Sequence, residues 1–344
     1  MGKRWSIAAV VLSALVTALL LSSFLTGELE FEPREVWLSE WVRPTEFQLN
    51  YYSTTKQGRV WGASGKRLYR ISESGTSALL VKRFAEPING LHHMPGGALV
   101  VATDADTWSA DLPCRIYLSD DGGQTFREIL EIPGGTALGW SLASDKAGNL
   151  FVGEYGPLSA GVANRLWRSG DLGHSWEVIF EAPERDGVHI HRVAVDPYTQ
   201  DLWVTHGDSH DGVYRSRDAG RTWEYLRDEQ STAVAFTPTQ IFWGEDRAKG
   251  LVTRFDRLTN RFYPSFEARQ HGYGGSVYAM ASAGERVLVA FMKYPDQQHA
   301  ASLWQHREGA WLKLASFGDM RGSPSIGGPD GEGRFYINGY VVHP

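Results

Sequence analysis

Glu154, His206 and Glu245 are the residues of this 344-residue chain best suited by type and spacing to do chemistry. Each ends an apolar run: Leu150-Phe151-Val152-Gly153-Glu154, Leu202-Trp203-Val204-Thr205-His206 and Ile241-Phe242-Trp243-Gly244-Glu245. A strand end buried among such runs ordinarily carries an apolar or small residue. Two carboxylates and an imidazole at matched positions therefore suggest an acid/base set, of the kind that acts on a sugar. Tyr155, Asp208 and Asp246 follow these runs closely, and Trp140, His189 and His191 lie on the segments just before them. These six are expected to line a ligand pocket. His191, His206 and Glu154 are also residue types that ligate a divalent metal, the one cofactor the sequence suggests. The plainer expectation is that strand ends at a channel mouth are polar because water reaches them.

The register of that alignment comes from a repeat. Ser119-Asp120-Asp121-Gly122-Gly123-Gln124-Thr125-Phe126 returns after 50 residues as Ser169-Gly170-Asp171-Leu172-Gly173-His174-Ser175-Trp176. After a further 47 it returns as Ser216-Arg217-Asp218-Ala219-Gly220-Arg221-Thr222-Trp223. A period in this range signals a propeller or a solenoid. Within each octet, Ser119, Ser169 and Ser216 with Asp121, Asp171 and Asp218 are expected to bond nearby backbone N–H groups and hold a hairpin corner. Gly123, Gly173 and Gly220 supply positive φ. Phe126, Trp176 and Trp223 begin the return strand.

All three octets fit Ser-x-Asp-x-Gly-x-Ser/Thr-aromatic, which resembles the Asp-box (BNR) repeat of the sialidase-like β-propeller superfamily. The stretch His189–Pro197, followed by Asp201–Asp208, is similar to uncharacterised exported BNR-repeat proteins described as glycosidase-like. The resemblance implies an all-β fold, a single propeller of four-stranded antiparallel blades. It does not extend to a true sialidase: Arg70-Ile71-Ser72 and Arg115-Ile116-Tyr117 lack the proline of the Arg-Ile-Pro motif, and none of that family's catalytic residues transfers. In such a propeller the boxes lie on the outer rim, and ligands meet the opposite face.

Read in this frame, residues 47–344 give seven blades, with six as the alternative. Six can be traced from Phe47 to Phe317, and the tail supplies two strands, near Ser323–Ile326 and Arg334–Tyr340. A half-blade needs a partner to avoid an open edge, and the segment Glu35–Trp41, within an acidic linker at 27–46, is expected to provide it. Aligned first strands offer Asn89, Trp140, His191 and Thr232 at one position.

Residues 1–26 differ in kind. Ser6 to Leu25 carries no charge behind Lys3 and Arg4, long enough as a helix to cross a bilayer core of about 30 Å. A signal anchor is expected, with a cleaved signal peptide as the alternative, and the flanking charges place the propeller outside the cytoplasm. The formal charge of −6 argues against nucleic acid. Cys114 is the only cysteine, so no internal disulfide forms. The expected function is a membrane-anchored, exported module that binds a glycan or protein partner through its channel mouth. The alternative is a glycoside hydrolase or lyase using the Glu/His ring. Asp104, Asp106 and Asp111 could form an oxygen cage for calcium, and Lys293–Asp296 reads as a mouth loop, but solvated loops explain both.

Overall fold

The structure, a computed structural model, describes residues 36–104, 113–133, 135–156, 165–182, 188–208, 211–247, 249–292, 300–317 and 325–344. Asp106, Asp111, the Lys293–Asp296 loop and the apolar run 6–25 lie outside them. Among the described residues no helix is long and apolar enough to cross a membrane. Their strands form seven antiparallel sheets, the blades of a propeller. First strands touch neighbouring first strands around the axis.

Second strands carry the core. Val60–Ser64, Leu99–Thr103, Leu150–Gly153, Leu202–Asp208, Gln240–Glu245 and Arg286–Phe291 are buried along almost their whole length. Blades cover both faces of these strands, so the sequence reads there as continuous apolar runs rather than as alternation. Trp203 and Trp243, from adjacent blades, meet at 5.3 Å between ring centroids.

The seventh blade departs from expectation. The C-terminal region supplies three strands, not two: Ile326–Gly327, Phe335–Ile337 and Tyr340–Val342. The fourth is Val42–Pro44, in register with Val342 to Tyr340. Trp37–Leu38, inside the segment expected to close the ring, instead becomes a fifth strand of blade six, paired with Ser316 and Ala315. The N-terminal segment thus edges two blades. Its chain leaves Leu38 through a turn, Val42 N–H donating to Ser39 O, and only then reaches the seventh blade.

The three octets form nearly identical networks. In each, the serine Oγ donates to the aspartate at 2.8 Å and accepts the glycine N–H at 2.8 Å. The final Ser or Thr hydroxyl donates to the same aspartate at 2.6–2.7 Å. These bonds hold the Asp121 and Asp171 carboxyls far below the usual range and bring Asp218 down to about 2. The corners also join blades. Trp176 Nε1 donates to Ile129 O of the preceding blade, and Trp223 Nε1 to Ile179 O. Gly173 has φ +85° and lies so close to Ile129 that a Cβ would meet that side chain at 2.6 Å, so no other residue fits.

Candidate functional site

The aligned second strands do end at equivalent places, pairing Ile88 with Thr103, Ile190 with His206, Ser231 with Glu245 and Val277 with Phe291. Each terminal side chain has partners of its own. Glu154 is fully buried, accepts from Trp167 Nε1 at 2.7 Å and Arg165 Nε at 3.2 Å, and pairs with Arg165 Nη2 at 3.1 Å. Burial pushes its carboxyl up, against the pull of Arg165 and Trp167. The His206 ring is buried beside Tyr214, 5.4 Å between centroids, and over Gly212. Glu245 lies mostly buried, 3.7 Å from Arg247, and burial raises its pKa as well. Glu154, His206 and Glu245 are each held by neighbours within their own blades.

The first strands are irregular at the same level. In blades two, four, five and six the first strand holds one residue more than its partner, and the extra residues are Asn89, His191, Thr232 and Tyr278. Blade three replaces the bulge by a 3-10 turn, Gly139–Ser141, which carries Trp140. Such insertions re-aim side chains. Thr232, for example, bonds across to Val277 O of the next blade. Aligning first strands had found these positions. Of these positions, Trp140, His191 and Tyr278 meet residues from the ends of the second strands, Tyr155 and Asp208, at the mouth.

Five of the predicted ligand residues assemble there. Trp140 of blade three meets Tyr278 of blade six across the axis, 5.5 Å between centroids, and Tyr155 edge-on at 6.5 Å. Tyr155 lies 3.8 Å from the His189 ring, and the His189 and His191 rings are 4.7 Å apart. Asp208 completes the group, its carboxylate oxygens 3.2 Å from His189 Nε2 and 3.5 Å from His191 Nε2. Burial, then His191, lowers the His189 pKa. Burial raises that of Asp208, but the two imidazoles outweigh it and leave the carboxyl below its usual value. The metal candidates are therefore regrouped. His191 stands with His189 and Asp208, not with His206 and Glu154, and this is the only convergence of three His, Cys, Asp or Glu side chains among the described residues. Asp246 contributes through its backbone, N–H donating to Gln230 O.

Below the mouth, one cavity of the channel is lined by Trp140, Tyr278, Tyr51, Tyr52, His92 and Arg192, among others. Arg192 forms no salt bridge among the described residues, and its Nε is buried there without an acceptor. Burial lowers its pKa to about 10, which still leaves it charged at neutral pH. His92 bonds Ser144 Oγ at 2.7 Å. Burial and then Arg192 bring it to about 4, so it is neutral. Sequence reading passed over Arg192, Gln230 and Tyr278. Extending the first-strand alignment by one blade would have reached Tyr278. Arg192 had no such signal, since an arginine beside the bulge looks like any strand arginine.

No family model and no curated sequence matches the chain. Solved structures match its shape. A chain in the crystal structure of the mitotic checkpoint complex aligns at TM-score 0.60 and 13% identity, over 92% of each chain. The extracellular domain of the putative one component system BT4673 from B. thetaiotaomicron aligns at TM-score 0.59 and 11% identity, over 90% of this chain and 40% of that one. A chain of the nidogen/laminin complex aligns at 0.52 and 15%, over 75% and 92%. At these identities the likeness is one of fold, and the fold is a seven-bladed β-propeller.

Proposed function

We propose that this chain is a ligand-binding propeller that holds an anionic glycan in the mouth of its central channel. The observation that carries the reading is Arg192, a guanidinium set in the channel, with no salt bridge among the described residues and its Nε buried without an acceptor among them. A charge withdrawn from water costs several kcal/mol unless it is paired, and a ligand carboxylate or sulfate is a natural partner. The faces of Trp140 and Tyr278 suit the apolar face of a sugar ring, and Trp140 Nε1, buried without a partner among the described residues, suits a ring hydroxyl. The matching chemistry of the three corner octets supports kinship with BNR-repeat propellers. Export behind an N-terminal anchor belongs to the same proposal.

The alternative, a glycoside hydrolase or lyase, has less support, because Glu154 is saturated by Arg165 and Trp167 and His206 is packed against Tyr214. A glycan array probed with the purified chain tests the proposal. Carboxylated or sulfated oligosaccharides should bind and neutral ones should not, and Arg192→Gln should weaken binding at least tenfold. Equal binding of neutral glycans, or an indifferent Arg192→Gln variant, would sink the idea.

A further inference from the structure

We infer that His189, His191 and Asp208 form a binding site for a divalent first-row transition metal, zinc(II) by ligand type, at the channel mouth. The inference stands apart from the glycan reading and would survive its failure.

The edges of the triad are the first argument. His189 Nε2 and His191 Nε2 are 2.9 Å apart, and Asp208 lies 3.2 and 3.5 Å from them. Ligand atoms bound to one tetrahedral ion at about 2.0–2.1 Å are about 3.3–3.4 Å apart, and on an octahedral ion about 2.8–3.0 Å. The three edges bracket these values. Two imidazoles and one carboxylate on a single face also form a recurrent ligand set of zinc and non-haem iron.

Proton arithmetic is the second. If both Nε2 atoms carry hydrogens toward Asp208, two N–H groups oppose each other at 2.9 Å. If one donates to the other, it has no hydrogen left for the carboxylate. A cation satisfies both nitrogens and the carboxylate together. The Nδ1 atoms of both rings are buried without an acceptor among the described residues, so Nε2 is the partnered atom of each ring.

The surroundings are built to hold this arrangement. Asp208 has φ +83°, rare for a residue with a side chain, and strain of this kind collects at ligand sites. Gln230 Nε2 donates to its Oδ1 at 2.5 Å, and Arg247 Nε donates to Gln230 Oε1 at 3.3 Å. Supporting bonds of this type orient metal ligands. Gly207 leaves room for the His191 ring, since a Cβ there would come within 2.7 Å of Cε1. Both histidines are 1% exposed while the Asp208 side chain is 33% exposed, so a bound ion keeps one side open to the mouth.

The test is titration of the chelator-treated, tag-free full chain with Co2+ followed by its visible absorption, with zinc content by elemental analysis. One equivalent per chain is expected. His191→Ala and Asp208→Asn should each weaken binding at least a hundredfold, and His174→Ala, an exposed histidine on the rim, should leave it unchanged. Circular dichroism checks that each variant is folded. If His191→Ala does not fold, Asp208→Asn and Gln230→Ala decide, the latter expected to weaken binding about tenfold. No stoichiometric uptake, or uptake lost equally with His174→Ala, overturns the site.

Discussion

At the rim, Asp171 accepts hydrogen bonds from Ser169, from the Ser175 backbone and from its hydroxyl, while Trp176 hands its N–H to the neighbouring blade. In the channel of the same blades, Trp140 Nε1 and Arg192 Nε are buried with no partner among the described residues. Buried polar groups in folded proteins are normally satisfied, so the contrast separates two jobs. A saturated network is scaffold. Unpartnered donors in the channel are what the proposed binding rests on, whereas those of Trp203 and Trp243 lie in the packed core. The loudest motif in the sequence belongs to the first kind, and the residues of interest to the second.

This contrast can be broken or sharpened at specific residues. The largest effect is expected from Gly173→Val, which puts a β-branched residue at φ +85° against Ile129. Backbone strain and overpacking together should remove about 2–5 kcal/mol, read by denaturant unfolding, with little change in ligand affinity for whatever folds. Glu154→Gln should behave likewise on a smaller scale. It turns an amide toward Arg165 in a buried site and should cost about 1–3 kcal/mol without touching binding. If it abolishes binding while stability holds, the acid/base reading of Glu154 returns.

Arg192→Met should invert the pattern, giving a ligand-free protein that is more stable by about 1 kcal/mol and that no longer binds. A destabilised Arg192→Met protein would mean that the guanidinium is already satisfied. The smallest effect is the acid response of the rim. The corner carboxyls are held below their unfolded value of about 3.9, with Asp218 at about 2. Their contribution is therefore complete above pH ~5 and lost as pH falls from about 4, through about 2 for Asp218 and lower still for Asp121 and Asp171. The triple variant with Asn at 121, 171 and 218 should flatten the slope of melting temperature against pH in that window. An unchanged slope would place the acid sensitivity elsewhere.

Much of this was legible in the chain. The octets gave a period, the period gave blades, and apolar runs gave the second strands. The side of the sheet on which a side chain lands was not legible. A one-residue bulge such as that at His191 changes which residues face the mouth, and no local pattern in Val188–Val195 announces it. The partner of Glu154 was equally hidden, because Arg165 and Trp167 sit across a hairpin whose register the sequence leaves open. Ring closure failed for a related reason: Trp37–Leu38 and Val42–Pro44 are both short and extended, and only the assembled edges decide which takes which.

That closure carries a consequence for how the molecule comes into being. Val42 pairs with Val342, 300 positions later, so the contact that completes the circle is among the most non-local the chain can make. Pairing of such separation is slow, since loop entropy is spent before the contact forms. During synthesis Trp37–Leu38 has no partner until Ala315–Ser316 is made, and Val42–Pro44 none until Tyr340–Val342. Loss of Tyr340–Val342 would leave both Val42–Pro44 and Phe335–Ile337 without that partner.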